Sequence, residues 1–366
     1  MTPAPETSVV FESATLLARR LGGYSSRICA VTFSPFDEET GLERAGFGEH
    51  FFQQLGVDAV HIVPVGNHWY QYPDLPDLCA KVREAVAGYE RVITYGSSMG
   101  AYAAIRFGGW VGAHAALALS PQFSIAARPA ALGLHWRDYV PNDRRWRRYG
   151  QSLRFPYEAR RDFARHAVIV YDPLTEDRQH AELYAATGDV TLVPAPHSGH
   201  PCGVLLTQSG LLTPLISDVL NNTFDAAHFR QEAERLGKDT PQFLIEQALR
   251  AEGRQERRRL AEMAYAAFPG NPSALRLMAQ TSLAVGDHAA AAIAAQALVA
   301  LEPQFQTNLF LLSQAHASAG RLEPAIAILR ELVERPDHPP EFDRRLRALN
   351  RRRRLRRIFV PLARSQ

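Results

Sequence analysis

Only three cysteines, Cys29, Cys79 and Cys202, occur in 366 residues. An odd number at such wide spacing offers neither a disulfide framework nor the close-set ligands of a zinc site. Long apolar runs are also missing, and none approaches the roughly 18 residues of a membrane-spanning helix. The opening residues, Met1-Thr2-Pro3-Ala4-Pro5-Glu6-Thr7, lack the basic and apolar regions of a secretory signal, so a reducing cytoplasm is the expected setting. There is no Gly-rich phosphate loop and no dinucleotide fingerprint, which leaves no cofactor expected. What remains is an ordinary globular composition, 46% hydrophobic and 22% charged, at a length suited to two domains.

The most informative stretch is Arg91-Val92-Ile93-Thr94-Tyr95-Gly96-Ser97-Ser98-Met99-Gly100. A β-branched run enters Gly-x-Ser-x-Gly, and a small-residue helical run leaves it. That layout describes a nucleophile elbow, a tight strand-to-helix turn that lifts the Ser98 hydroxyl clear of the backbone. Gly96 and Gly100 remove side chains where strand and helix cross. Around this point the chain alternates. Apolar runs at 27–33, 57–65, 91–95, 114–119, 166–171 and 190–194 read as strands. Segments at 48–55, 75–89, 179–186 and 205–220 read as helices. Continuous apolar strands between amphipathic helices imply an α/β fold, a mostly parallel sheet covered on both faces.

These features resemble the α/β-hydrolase superfamily, more closely its small esterase- or thioesterase-like members, over about residues 8–220. The resemblance implies a serine nucleophile followed in sequence by an acid and then a histidine. Ser98 takes the first role. His200, in Pro196-His197-Ser198-Gly199-His200, is favoured as the base, because small residues before it let the loop fold back; His197 is the fallback. The acid is Asp172, at a strand's carboxyl end, or Asp177 five residues later, with Asp172 preferred by a small margin. The oxyanion donors implied are the N–H groups of Met99 and, from the loop after the 27–33 strand, Ser34. Asn67, His68, Trp69 and Tyr70 follow another strand end and are candidate substrate contacts. Residues 128–165 read as a lid; ten arginines there face four acids, with Trp136 and Trp146 between them, a composition compatible with an anionic substrate.

From about residue 222 the strand signals stop. Pro269 and Pro303 stand 34 apart, as do Gly286 and Gly320, while Gly253 precedes Gly286 by 33. This period resembles tetratricopeptide repeats, with units at 237–270, 271–304 and 305–337. The expected organisation is therefore a hydrolase domain at 1–221, helical repeats at 222–340 and an Arg-rich tail at 341–366. In that tail ten arginines face only Glu341 and Asp343. Contact of the tail with nucleic acid or an anionic membrane is secondary to a capping role for Leu346, Leu349, Leu355 and Ile358. The function expected is hydrolysis of a small-molecule ester or thioester through an acyl-enzyme, with the repeats docking a protein partner. Acyl transfer by the same residues and a non-catalytic scaffold are the alternatives.

Overall fold

The computed structural model describes residues 6–24, 26–37, 40–123, 162–335 and 338–359. The chain divides into two compact units, Met1–Asp239 and Thr240–Gln366.

Among the described residues the first unit is built on eight strands: β1 (Glu6–Glu12), β2 (Leu16–Gly22), β3 (Ile28–Phe33), β4 (Asp58–Pro64), β5 (Arg91–Ser97), β6 (Ala115–Leu119), β7 (Ala167–Tyr171) and β8 (Val190–Pro194). Their order across the sheet is β1-β2-β4-β3-β5-β6-β7-β8. Only the β1–β2 and β2–β4 pairings are antiparallel. All others run parallel. Helices α1 (Glu49–Leu55), α2 (Leu75–Val86), α3 (Met99–Arg106), α4 (Asp177–Thr187), α5 (Gly203–Gln208), α6 (Leu212–Asn221) and α7 (Ala226–Gly237) accompany it. This is the α/β-hydrolase architecture.

The central strands have the continuous apolar character that burial on both faces requires: every residue of β4, β6 and β7 is buried. One core cluster joins Leu16, Val31, Phe33, Val60 and Ile62 to Leu75, Leu78 and Val82 of α2 and to Met99 and Tyr102 of α3. Another packs Ile105, Ile169, Tyr171 and Tyr184. Because these strands are parallel, their carboxyl ends share one edge, and the loops after β3, β5, β6, β7 and β8 gather there.

Two features depart from the sequence reading. The β1–β2 hairpin carries Glu6, Arg19 and Arg20 among its apolar residues and lacks a continuous run. The single closing helix expected at 205–220 is two helices, broken at Gly210, which takes a left-handed φ of +74°.

The second unit is a series of helices: α8 (Pro241–Arg250), α9 (Arg254–Ala267), α10 (Pro272–Val285), α11 (His288–Leu301), α12 (Gln306–Ser318), α13 (Leu322–Glu334) and α14 (Pro340–Phe359). Each packs on the next in sequence. The three expected repeats each contain one helix pair. Their turns fall where the 33–34 spacing placed them: Gly253, Gly286 and Gly320 all have positive φ, from 78° to 83°. Side-chain caps start several helices, Thr240 to Phe243 N–H, Asn271 to Ala274 N–H and Asp287 to Ala290 N–H.

The Arg-rich tail forms most of α14. Phe342 and Leu349 are buried against α13, with Leu346 partly so, whereas Leu355 is 49% exposed and does not cap the array. The boundary also moves from 221 to 239, because α7 packs on β8 and α5, burying Phe229 and Ala233. Of the expected lid, residues 128–161 lie outside the described residues, together with Trp136 and Trp146.

Candidate active site

Where β5 ends, the backbone turns sharply into α3. Gly96 and Gly100 cross so closely that a Cβ on Gly96 would lie 2.3 Å from the Gly100 carbonyl, and one on Gly100 would lie 2.1 Å from the Phe33 oxygen. Ser98 sits at the apex with φ 52° and ψ −116°, a strained conformation for a residue with a side chain. Its N–H donates to the Leu119 carbonyl at 2.9 Å and so anchors the turn to β6.

The Ser98 hydroxyl lies 3.0 Å from His200 Nε2. On the other side of the ring, Nδ1 is 2.9 Å from Asp177 Oδ1 and 3.0 Å from Oδ2. Asp177 is only 3% exposed, at the first turn of α4, whereas the His200 side chain is 27% exposed. A sealed carboxylate, an imidazole reaching into a cavity and a strained serine thus form one hydrogen-bonded line.

The carboxylate on the imidazole is therefore that of Asp177, not of Asp172. Asp172 is fully buried and committed to backbone: Oδ1 accepts from Leu174 N–H at 2.9 Å and Oδ2 from Gly199 N–H at 2.8 Å. The first bond is an Asx turn, which Asp172-Pro173 promotes by fixing the next residue's φ. That dipeptide is the sequence signal that separates the two acids. His200, rather than His197, carries the ring that meets Ser98.

Met99 opens α3, so its N–H is among those without an intrahelical acceptor. Ser34 does not supply the second donor, since its N–H already bonds the Ile62 carbonyl at 3.3 Å in continuation of the strand pairing. Among the four expected substrate contacts, only Trp69 lines the cavity. Asn67 holds the Asp37 backbone through both amide atoms. His68 Nδ1 pairs with the Tyr72 hydroxyl, and the Tyr70 hydroxyl donates to the Ser34 carbonyl. These three shape the rim instead of facing a substrate.

The cavity over Ser98 has a volume of about 1120 Å³. Phe36, Phe47, Phe51, Trp69 and Tyr95 supply an aromatic wall, and Leu119, Val204, Leu212 and Ile216 an aliphatic one. Among the described lining residues the carboxylates are Glu176 and Asp177, and there is no lysine or arginine. Most of the Arg-rich stretch that suggested an anionic substrate lies outside the described residues. The aromatic wall was not read from the sequence, because Phe36 follows β3, Phe47 and Phe51 flank the start of α1, Trp69 follows β4 and Tyr95 lies in β5, and only the fold assembles them.

Close to His200 lies a further residue that sequence reasoning passed over. Gln122, in the loop after β6, is fully buried with Nε2 3.5 Å from His200 Nε2. Its signal was available, since it follows a strand end adjacent to the elbow strand. His180 is also buried beside Asp177, and burial lowers its pKa to about 4. Among the described residues no group of three or more His, Cys, Asp or Glu could hold a metal ion, and no helix is long and apolar enough to cross a membrane.

No family model and no curated protein matches the chain. Solved structures similar to it include an esterase from Pyrococcus furiosus, 14% identical, covering 60% of this chain and 91% of that one with a TM-score of 0.39. Another is the Est2 esterase of Thermogutta terrifontis with butyrate bound, 17% identical, covering 61% and 96% with a TM-score of 0.40. A chain of MamA from Desulfovibrio magneticus running from residue 41 to the end, 17% identical, matches over 40% of this chain and 85% of that one with a TM-score of 0.31. The first unit of this chain has the α/β-hydrolase fold, and the second is an array of helical hairpins.

Proposed function

We propose that the chain is a serine hydrolase that cleaves an ester or thioester through an acyl-enzyme on Ser98. The observation that carries this reading is the continuous line Ser98 Oγ–His200 Nε2, 3.0 Å, and His200 Nδ1–Asp177 Oδ1, 2.9 Å. Ser98 Oγ attacks the acyl carbon while His200 Nε2 takes its proton, and Asp177 fixes the ring tautomer and stabilises the imidazolium. The proton then passes from Nε2 to the leaving group as the acyl bond breaks. Met99 N–H faces the developing oxyanion. The loop after β3, whose Pro35 and Phe36 line the cavity, borders the same point. Water reverses the sequence and frees the acid.

The aromatic and aliphatic walls favour an uncharged, apolar acyl group, because a charge buried there would meet no compensating cation among the described lining residues. The helical hairpins of the second unit supply a docking surface for a protein partner. The test uses purified full-length chain with p-nitrophenyl butyrate and a fluorophosphonate probe. Wild type should turn over the ester and carry the probe on Ser98, and Ser98→Ala should lose both. A wild-type chain that neither releases nitrophenol nor takes up the probe would remove this reading.

A further inference from the structure

The last helix of the second unit carries charge of one sign. From Arg344 to Phe359 the chain has nine arginines and no carboxylate. Helical spacing divides α14 into two sides. Phe342, Leu346 and Leu349 fall on one side and pack against α13, with Phe342 also stacked on Phe310 of α12. Arg353 pairs with Glu323 at 3.1 Å, and Arg352 donates to the Ala317 carbonyl at 3.3 Å. Both partners lie beside the α12–α13 turn, and α14 continues from there to Phe359.

On the opposite side Arg344, Arg347, Arg351 and Arg354 recur at intervals of three, four and three residues. They share an arc of about 80° and run about 15 Å along the helix. All four are exposed, and none forms an ion pair among the described residues. The nearest acids in sequence lie before the row: Glu341 opens the helix, and Asp343 bonds His338. Leu355 falls on the arginine side and is 49% exposed.

Solubility of a terminal helix asks only for a polar outer face, and mixed charge serves that well. Four like charges in a row repel one another and add nothing to packing that lies on the other side. Their chemistry matches a surface of fixed negative charge, and Leu355 selects among such surfaces. A nucleic-acid backbone is met by arginine and polar side chains, and an exposed leucine gains nothing against phosphate. At a bilayer interface the two residue types act together. The guanidinium groups stay at the lipid phosphates, while arginine stems and leucine enter the apolar boundary.

We propose that the outer face of α14, formed by Arg344, Arg347, Arg351, Arg354 and Leu355, docks the protein on a bilayer of anionic lipids. The arginines meet the headgroup phosphates, and Leu355 inserts between them. This docking is independent of the chemistry read at Ser98, and either can fail without the other.

The experiment sediments the full-length chain with vesicles of phosphatidylcholine alone and of phosphatidylcholine with one-third phosphatidylglycerol. The chain should descend with the anionic vesicles only, and less of it as salt rises from about 0.1 M to 0.5 M. Arg347→Gln, Arg351→Gln and Arg354→Gln combined should weaken binding about a hundredfold, at about fivefold for each arginine. Leu355→Ser should weaken it about tenfold with the salt dependence kept, because no charge is removed. Circular-dichroism melts of both variants should match wild type, since these positions face away from α13. Arg344→Gln with Arg347→Gln carries the charge comparison if the triple variant unfolds. Equal binding to neutral and anionic vesicles, no binding to either, or full binding by the triple variant would overturn the proposal. So would duplex DNA or single-stranded RNA bound more tightly than the anionic vesicles, or a Leu355→Ser chain that binds those vesicles as wild type does.

Discussion

Asp172 and Gly199 are joined by a hydrogen bond, the Gly199 N–H donating to Asp172 Oδ2 at 2.8 Å. It ties the loop that carries His200 to the end of β7, one residue before the ring that meets Ser98. Two acids thus divide the work: Asp177 orients the imidazole from its side, and Asp172 fixes the backbone from which the imidazole hangs. Their substitutions should separate. Asp177→Asn should keep the fold and lower kcat by about four orders of magnitude, because an amide supports the wrong tautomer. Asp172→Ala leaves the buried Gly199 N–H and the half-buried Leu174 N–H without their carboxylate acceptor and should destabilise the fold by about 3 kcal/mol. Denaturant melts beside kcat for the two variants decide the matter; equal stability losses would contradict the division.

The elbow makes a second demand that can be measured. Gly100→Ala would drive its Cβ to 2.1 Å from the Phe33 oxygen, and the obstructing atom is backbone of β3 in the middle of the sheet. Neither strand nor helix can retreat without breaking the β3–β5 pairing. The substitution should therefore destabilise the first unit by about 3 kcal/mol or more, beyond ordinary overpacking. Gly88→Ala, where an added methyl meets nothing within 4 Å, is the matched control and should leave the melting temperature near wild type.

The features legible in the sequence were those that a local rule determines. Ser98 was visible because the elbow needs glycine at fixed offsets, and the repeats because a left-handed turn at Gly253, Gly286 and Gly320 recurs with the helix pair. His200 was visible from strand order and small neighbours. Choosing between Asp172 and Asp177 needed the direction of a side chain, which the Asp172-Pro173 turn takes away from the imidazole. Ser34 was misplaced as an oxyanion donor because the strand pairing continues one residue further than its apolar run. Asn67, His68 and Tyr70 look like ligand contacts in a row, yet each is used to hold a loop. The aromatic wall and Gln122 depend on which strands become neighbours, and no window of sequence contains that.

Two buried histidines make stability depend on pH. Burial lowers the pKa of His61, whose Nδ1 meets the Thr32 hydroxyl at 2.7 Å, and that of His180 to about 4 each, from an unfolded value of 6.5. Between those values the unfolded chain binds protons that the folded chain refuses. Stability is therefore complete above pH 6.5 and is lost as pH falls toward 4, by up to about 3 kcal/mol for each histidine. Melting temperatures taken at intervals from pH 7.5 to 4.5 should drop through this window. His61→Gln, which cannot charge, should flatten its share of the decline relative to its own value at pH 7.5. An unchanged slope would mean that other groups govern the acid transition.

The position of α7 supplies a prediction about where the first unit ends. Its residues Phe229 and Ala233 are each 6% exposed, and Gly237 lies so close to α5 that an added Cβ would meet Leu205 at 3.5 Å. The sequence change near residue 222, where strand signals cease, marks a change of secondary structure and not of packing unit. A chain ending at 221 would expose the faces of β8 and α5 that α7 covers, and α5 contributes Gly203, Val204 and Thr207 to the cavity wall. Loss of a buried phenylalanine alone is worth about 3–5 kcal/mol. The fragment 1–221 should therefore melt well below the fragment 1–239 and lose most ester turnover, whereas 1–239 should keep turnover near that of the full chain. Circular-dichroism melts with p-nitrophenyl butyrate assays on both fragments provide the comparison. Equal stability and activity of the two would return the boundary to the place where the strands stop.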